Sequence, residues 1–322
     1  MIKIFKLVVF SLIFVFLIDS SFCQDVLKPT KRFQLSHKIP SWDVPVWTGV
    51  AVDSSLRAYV GGDDHKIRCW NLQTGKLESK LTRNVDWVKA VRLRPDGLVL
   101  LSADMSETGI LWQTDTRQKF MPLRGIPSAV NCGQFSPDGN ELALGLFGGQ
   151  VLTFNSVTGQ PIHNLSLGHG DVYTMAYSPD GRYIAAAGRT GIIRVWDIKN
   201  GASFKDLTGH TRRVATLDFT PEGKLISGSE ENQVCLWDVE AGRQIAQIAG
   251  LSGKVRKVVS LGGSKVAVSM TDNNLEIWDI QQQKKLNQLS GHTGTVHDMQ
   301  FVPAPNWLIT VGFDCSLCVW AL

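Results

Sequence analysis

The chain repeats itself. Aligned on an aromatic residue that follows an aliphatic or small one, it gives Trp70, Trp112, Phe154, Trp196, Trp237, Trp278 and Trp320, spaced 42, 42, 42, 41, 41 and 42 residues apart. A fixed period of this length means one supersecondary unit stacked on copies of itself, each burying its neighbour's apolar face. A length of 322 residues would otherwise suggest two domains, but repeat folds grow by adding units.

Each period carries the same signals. In the fourth, Val172 to Tyr177 is a β-prone run, Ser178-Pro179-Asp180-Gly181 a tight turn, Tyr183 to Ala187 a second strand and Ile192 to Trp196 a third. Asn200-Gly201 then signals a hairpin before a fourth strand from Phe204 to Leu207. The first turn recurs as Arg94-Pro95-Asp96-Gly97, Ser136-Pro137-Asp138-Gly139 and Thr220-Pro221-Glu222-Gly223. No segment of the repeat region shows helical periodicity. The expectation is an all-β, seven-bladed β-propeller of four-stranded antiparallel blades. Blade seven stops at Leu322, directly after its third strand, and a spare strand, Arg32 to Lys38, lies upstream of blade one. That N-terminal strand should complete blade seven and close the ring, removing two open edges. The propeller then covers residues 32–322, with 24–31 as a short exposed lead.

These features resemble the WD-repeat family. Trp-Asp stands at 196–197, 237–238 and 278–279, and the family's Gly-His pair at 168–169, 209–210 and 291–292. In that family a buried network of Trp, Ser/Thr, His and Asp braces each blade. The resemblance implies a full set in blade seven, His292, Thr310, Asp314 and Trp320. Blade five keeps His210, Ser227 and Trp237, with Glu231 at the Asp position. Blade four keeps His169 and Trp196, with Thr190 at that position, and blade six keeps Asp272 and Trp278. Blades one to three lack the His and should be the least rigid.

Residues 1–23 read as an export signal. Lys3 and Lys6 precede an apolar run from Leu7 to Ile18, too short for a membrane span, and Ser21-Phe22-Cys23 suits cleavage after Cys23. The mature chain is expected to be secreted or periplasmic, with an uncleaved membrane anchor as the alternative. Loss of residues 1–23 lowers the formal net charge from +4 to +3, too mild a field for nucleic-acid binding. The five remaining cysteines read as small buried apolar residues rather than disulfide partners.

No catalytic, metal or cofactor signature persuades. Gly250 to Lys254 lacks phosphate-loop spacing, and Cys315-Ser-Leu-Cys318 lies at a strand rather than a helix start. Two readings remain. The first is a non-catalytic scaffold, monomeric by itself, that binds a protein or peptide, acidic in character. The second is an exported propeller hydrolase or lyase with a site in the channel mouth, built on His297, Asp298, Arg256 and Lys257. For the scaffold, the docking face should bear the blade-to-blade loops. Its positions are Trp47, Trp87, Lys89, Asn131, Tyr173, Arg213, Arg256, Lys257 and His297, with Phe147, Arg189, Glu230 and Phe313 from the second-to-third strand loops. Aromatic and cationic residues of this kind dominate binding hot spots.

Overall fold

The computed structural model describes residues 26–34, 47–199 and 201–322, and the segment read as an export signal lies outside them. Seven four-stranded antiparallel blades surround a central channel. Blade four runs Val172–Tyr177, Tyr183–Gly188, Ile193–Asp197 and Ala202–Leu207, within two residues of the sequence expectation at each boundary. Gly181, Gly139, Gly97 and Gly223 all take positive φ, the conformation that the Pro-Asp/Glu-Gly turns require and that a Cβ disfavours.

The core lies between blades, not within them. Seven buried apolar clusters occur among the described residues, one at each junction of neighbouring blades. The junction of blade one with blade seven is as well filled as the others: Trp47, Trp70 and Leu72 meet Ile309, Val311 and Leu317. Six of the seven repeat aromatics are buried, and Trp278 is half-buried.

The N-terminal strand closes the ring as expected. Lys31–Gln34 pairs antiparallel with Ser316–Ala321 and completes blade seven. The Arg32 guanidinium bonds Ser316 Oγ at 2.9 Å and reaches Asp314 at 3.4 Å, tying the strand to the blade it finishes. Residues 35–38 of the expected strand lie outside the described residues.

The exposed lead is corrected in one respect. Val26–Leu27 forms a two-residue strand parallel to Lys284–Leu289, the outermost strand of blade six. The Leu27 carbonyl accepts from Ser290 N, and its side chain packs in the cluster between blades six and seven. Blade six offered an open edge, and a parallel pairing at that edge satisfies it.

Candidate partner-docking site

Every innermost strand carries a β-bulge at the same place. The register skips one residue between Trp47 and Gly49, Val88 and Ala90, Val130 and Cys132, Val172 and Thr174, Val214 and Thr216, Val255 and Lys257, and Val296 and Asp298. A bulged residue is freed from the ladder and re-aimed. The seven skipped residues are Thr48, Lys89, Asn131, Tyr173, Ala215, Arg256 and His297, and all seven line one central cavity of about 860 Å3. The residue before each bulge is buried, with Val88, Val130, Val172, Val214 and Val296 at 0% exposure.

That register overturns one expected docking residue. Trp47 occupies the position of the buried valines, is 0% exposed and packs on Trp70 with ring centroids 6.5 Å apart. Thr48 takes the channel position in blade one instead, and Ala215 takes it in blade five.

The other expected residues gather at one end of the channel. The loops after the second strands hydrogen-bond to the residues entering the innermost strands: Met105 N to Trp87 O, Phe147 N to Ala129 O, Glu230 N to Arg213 O and Phe313 N to Thr295 O. Both loop sets therefore share one face. Trp87 and Phe313 are exposed there at 48% and 45%. Lys89 lies over the Trp87 ring, Arg213 over the Tyr173 ring at 4.3 Å, and the His297 ring meets Phe313 edge-on at 5.5 Å. Arg213 is also paired with Glu230 at 3.1 Å. Arg189 is exposed on the blade-four loop, and Phe147 lines the cavity.

The cavity is electropositive. Lys89, Arg92, Arg213, Arg256 and Lys257 line it against the carboxylates of Asp218 and Asp298. Asp298 is fully engaged, with Arg92 at 2.9 Å, Lys257 at 3.0 Å and the Val50 amide at 3.1 Å. Burial would raise its pKa, but the two cations hold it well below the usual carboxylate range. Burial raises that of Asp218, although the Ser260 amide donates to it. Burial and then the Arg256 charge push His297 down to about 3, so its ring is neutral at physiological pH. Arg92 and Lys257 thus belong to the channel wall as ion-pair partners of Asp298. The sequence showed Asp298 but not that Arg92, more than 200 residues away, would meet it.

Side chains of one innermost strand also satisfy backbone amides of the next. Thr174 Oγ1 accepts from Leu217 N, Thr216 Oγ1 from Val258 N, and Gln300 Oε1 from Val52 N across the ring closure. The free edge of an innermost strand faces the channel, and these bonds replace the missing ladder partners.

The bracing networks follow the family resemblance in two blades. In blade seven, Trp320 Nε1 donates to Thr310 Oγ1, which meets His292 Nε2 at 2.7 Å, and His292 Nδ1 meets Asp314 at 3.0 Å. In blade five, Trp237, Ser227, His210 and Glu231 form the same chain. Elsewhere the expectation needs correction. Blade two has a complete relay in which Asn84 replaces His: Trp112 Nε1 to Ser102 Oγ, Ser102 to Asn84 Oδ1, and Asn84 Nδ2 to Asp104. An amide offers an acceptor at one end and a donor at the other, as a neutral imidazole does. Blade two therefore does not belong with the weakly braced blades. In blade four Ala186 stands ten residues before Trp196, where the working blades have a hydroxyl, so His169 bonds Thr190 and its Nε2 is buried without a partner among the described residues. In blade six Asp272 is exposed and turns to Asn274, while Trp278 Nε1 donates to Glu276. The signal that would have found blade two is that hydroxyl ten residues before the anchor, shared by Ser102, Ser227 and Thr310.

The family model "WD domain, G-beta repeat" matches residues 159–197, 201–238 and 283–321. These stretches hold the three Gly-His pairs. The chain is 30% identical over 148 residues to the WD repeat-containing protein SL1-17 of Schistosoma mansoni, covering 46% of this chain and 49% of that protein. It is 24% identical over 205 residues to the WD repeat-containing protein VIP3 of Arabidopsis thaliana, covering 59% and 64% respectively. It is 25% identical over 164 residues to transcription initiation factor TFIID subunit 5 of Caenorhabditis elegans, covering 51% and 25%. The matched stretch spans less than two thirds of each of these relatives. Three matched repeats, set in seven blades of one plan, place this chain with the WD40-repeat, seven-bladed β-propellers.

Proposed function

We propose that the chain is a non-catalytic scaffold that docks a protein or peptide on the face bearing the blade-to-blade loops. The convergence of bulge residues from all seven blades on one electropositive channel mouth, rimmed by exposed Trp87 and Phe313, carries this reading. The name of one relative, a TFIID subunit, is that of a component of an assembly. The acid–base chemistry of the mouth argues against the hydrolase or lyase reading. Asp298 is held ionised by two cations, and His297 is too weak a base near neutral pH to take a proton from substrate. The test is capture of a partner from the native compartment by the wild-type chain and by Trp87→Ala, Tyr173→Ala, Arg213→Ala and Arg256→Ala. Loss of capture with unchanged melting is expected. Normal capture by all four, with loss on Asp180→Ala at the opposite end, would assign the wrong face.

The exported compartment belongs to the same proposal and rests on Lys3, Lys6 and the Leu7 to Ile18 run. Intact-mass measurement of native material should show a chain beginning near Gln24. Retention of Met1 in a membrane fraction would favour the anchored form.

A further inference from the structure

We infer that the channel mouth is a socket for a single carboxylate side chain carried by the docking partner, an inference that rests on the docking face proposed above and makes it specific. Four of the bulge residues, Lys89, Asn131, Arg256 and His297, bring polar nitrogens to the cavity. Arg256 Nη2 donates to His297 Nε2 at 2.9 Å, which makes that nitrogen the acceptor and leaves the ring proton on Nδ1. His297 Nδ1 and Asn131 Nδ2 are both buried without a partner among the described residues. Lys89 lies over the face of Trp87 within the field of Asp63 and Asp86, and Arg256 within that of Glu230; neither cation forms an ion pair among the described residues. All four groups donate, and none of them is hydrogen-bonded or ion-paired to a carboxylate among the described residues. The two lining carboxylates are already engaged, Asp298 by Arg92, Lys257 and Val50 N, and Asp218 by the amides of Phe219 and Ser260.

Unmatched donors of one kind, two of them cations, carry a standing cost in a partly desolvated place. Burial and the Arg256 charge act against the protonated form of Lys89, with Asp63 and Asp86 opposing them, and burial and Arg213 act likewise on Arg256, with Glu230 opposing. An oxyanion removes that cost at once, accepting several charge-assisted bonds. The rim decides the source of the oxyanion. Trp87 and Phe313 present apolar surface beside the socket that an inorganic ion cannot cover, whereas residues flanking an Asp or Glu can.

The experiment pans a display library of linear peptides on the full chain, with soluble binders then measured by calorimetry. Enriched peptides should share an Asp or Glu, and its replacement by Asn or Gln should weaken binding about 10- to 100-fold. Lys89→Met and Arg256→Gln should weaken binding comparably. Their melting temperatures should stay level or rise, because like charges have been removed; a fall would mark these residues as structural and sink the socket. If binders ignore their acidic residue yet are lost on Trp87→Ala or Phe313→Ala, the socket is wrong and the docking face stands. If binders map away from the mouth, both fall. Inorganic phosphate, titrated alone and as a competitor, gives the remaining arm. Tight binding of phosphate at the mouth, with no peptide dependence on its carboxylate, would replace the proposal with a free-anion site.

Discussion

Single hydroxyls hold whole blades in place. Ser227 accepts from Trp237 and meets His210, and it is 0% exposed, so Ser227→Ala strands two buried groups at once. Destabilisation by about 2–4 kcal/mol is expected in denaturant melts, and Ser102→Ala should cost blade two a similar amount through Trp112 and Asn84. The converse holds in blade four. Ala186→Ser would offer a partner to the stranded Nε2 of His169 and should raise stability by about 1 kcal/mol. Charge adds a dependence on acidity. Burial pushes His297 to about 3, with Arg256 next and Lys89 and Lys257 adding to it against Asp298, and burial also lowers His210 against the pull of Glu231. The unfolded chain takes up protons on both histidines near pH 6.5 and the folded chain only at lower pH, so stability falls as pH drops below about 6.5, by at most about 1.4 kcal/mol per pH unit for each group. Thermal melts from pH 7.5 to 4.5 check this, and His297→Gln should flatten the profile. Blade two is braced by an amide and adds no histidine to that slope. Substitutions of this kind were hard to see in the sequence. Asn84 performs the work of a histidine through its geometry, and only the spacing of Ser102 from Trp112 betrays it.

At the scale of strands, most of the fold was legible because turn chemistry and alternation agree in every repeat. The Pro-Asp/Glu-Gly turns fixed the start of the second strand in blades two to five, and the missing fourth strand of blade seven pointed to an N-terminal strand expected at Arg32 to Lys38 and observed at Lys31–Gln34. Two elements escaped. Val26–Leu27 is too short to show alternation, and its partner, blade six, looked complete. Trp47 was placed at the mouth because one residue separates the buried position from the bulge, and a one-residue slip turns a side chain to the other side. The N-terminal strands now make a graded prediction. Removing residues 24–28 takes Leu27 out of the cluster between blades six and seven and should lower the melting temperature modestly, by about 1–2 kcal/mol of stability. Removing 24–34 also opens blade seven and strips Arg32 from Asp314 and Ser316, so aggregation should follow on mild heating. Light scattering during the melt separates the two. Equal, mild effects would mean that the Lys31–Gln34 pairing does not hold the ring.

Across the whole molecule, the formal net charge of +4 is modest, and five of the cations line one cavity. Long-range attraction should therefore be local to the mouth. Capture of the partner should slow as ionic strength rises from about 50 to about 300 mM, with the loss in the association rate, and Lys89→Met should weaken that salt dependence. Stopped-flow association over that range checks it. The seven bulges have one more consequence. Each residue at a bulge sits outside the pairing of its own sheet, so exchanging it leaves the strand register untouched. The ring thus works as a dial with seven settings on a fixed wheel: Thr48, Lys89, Asn131, Tyr173, Ala215, Arg256 and His297 spell one combination, and a different set of seven would spell another on the same frame.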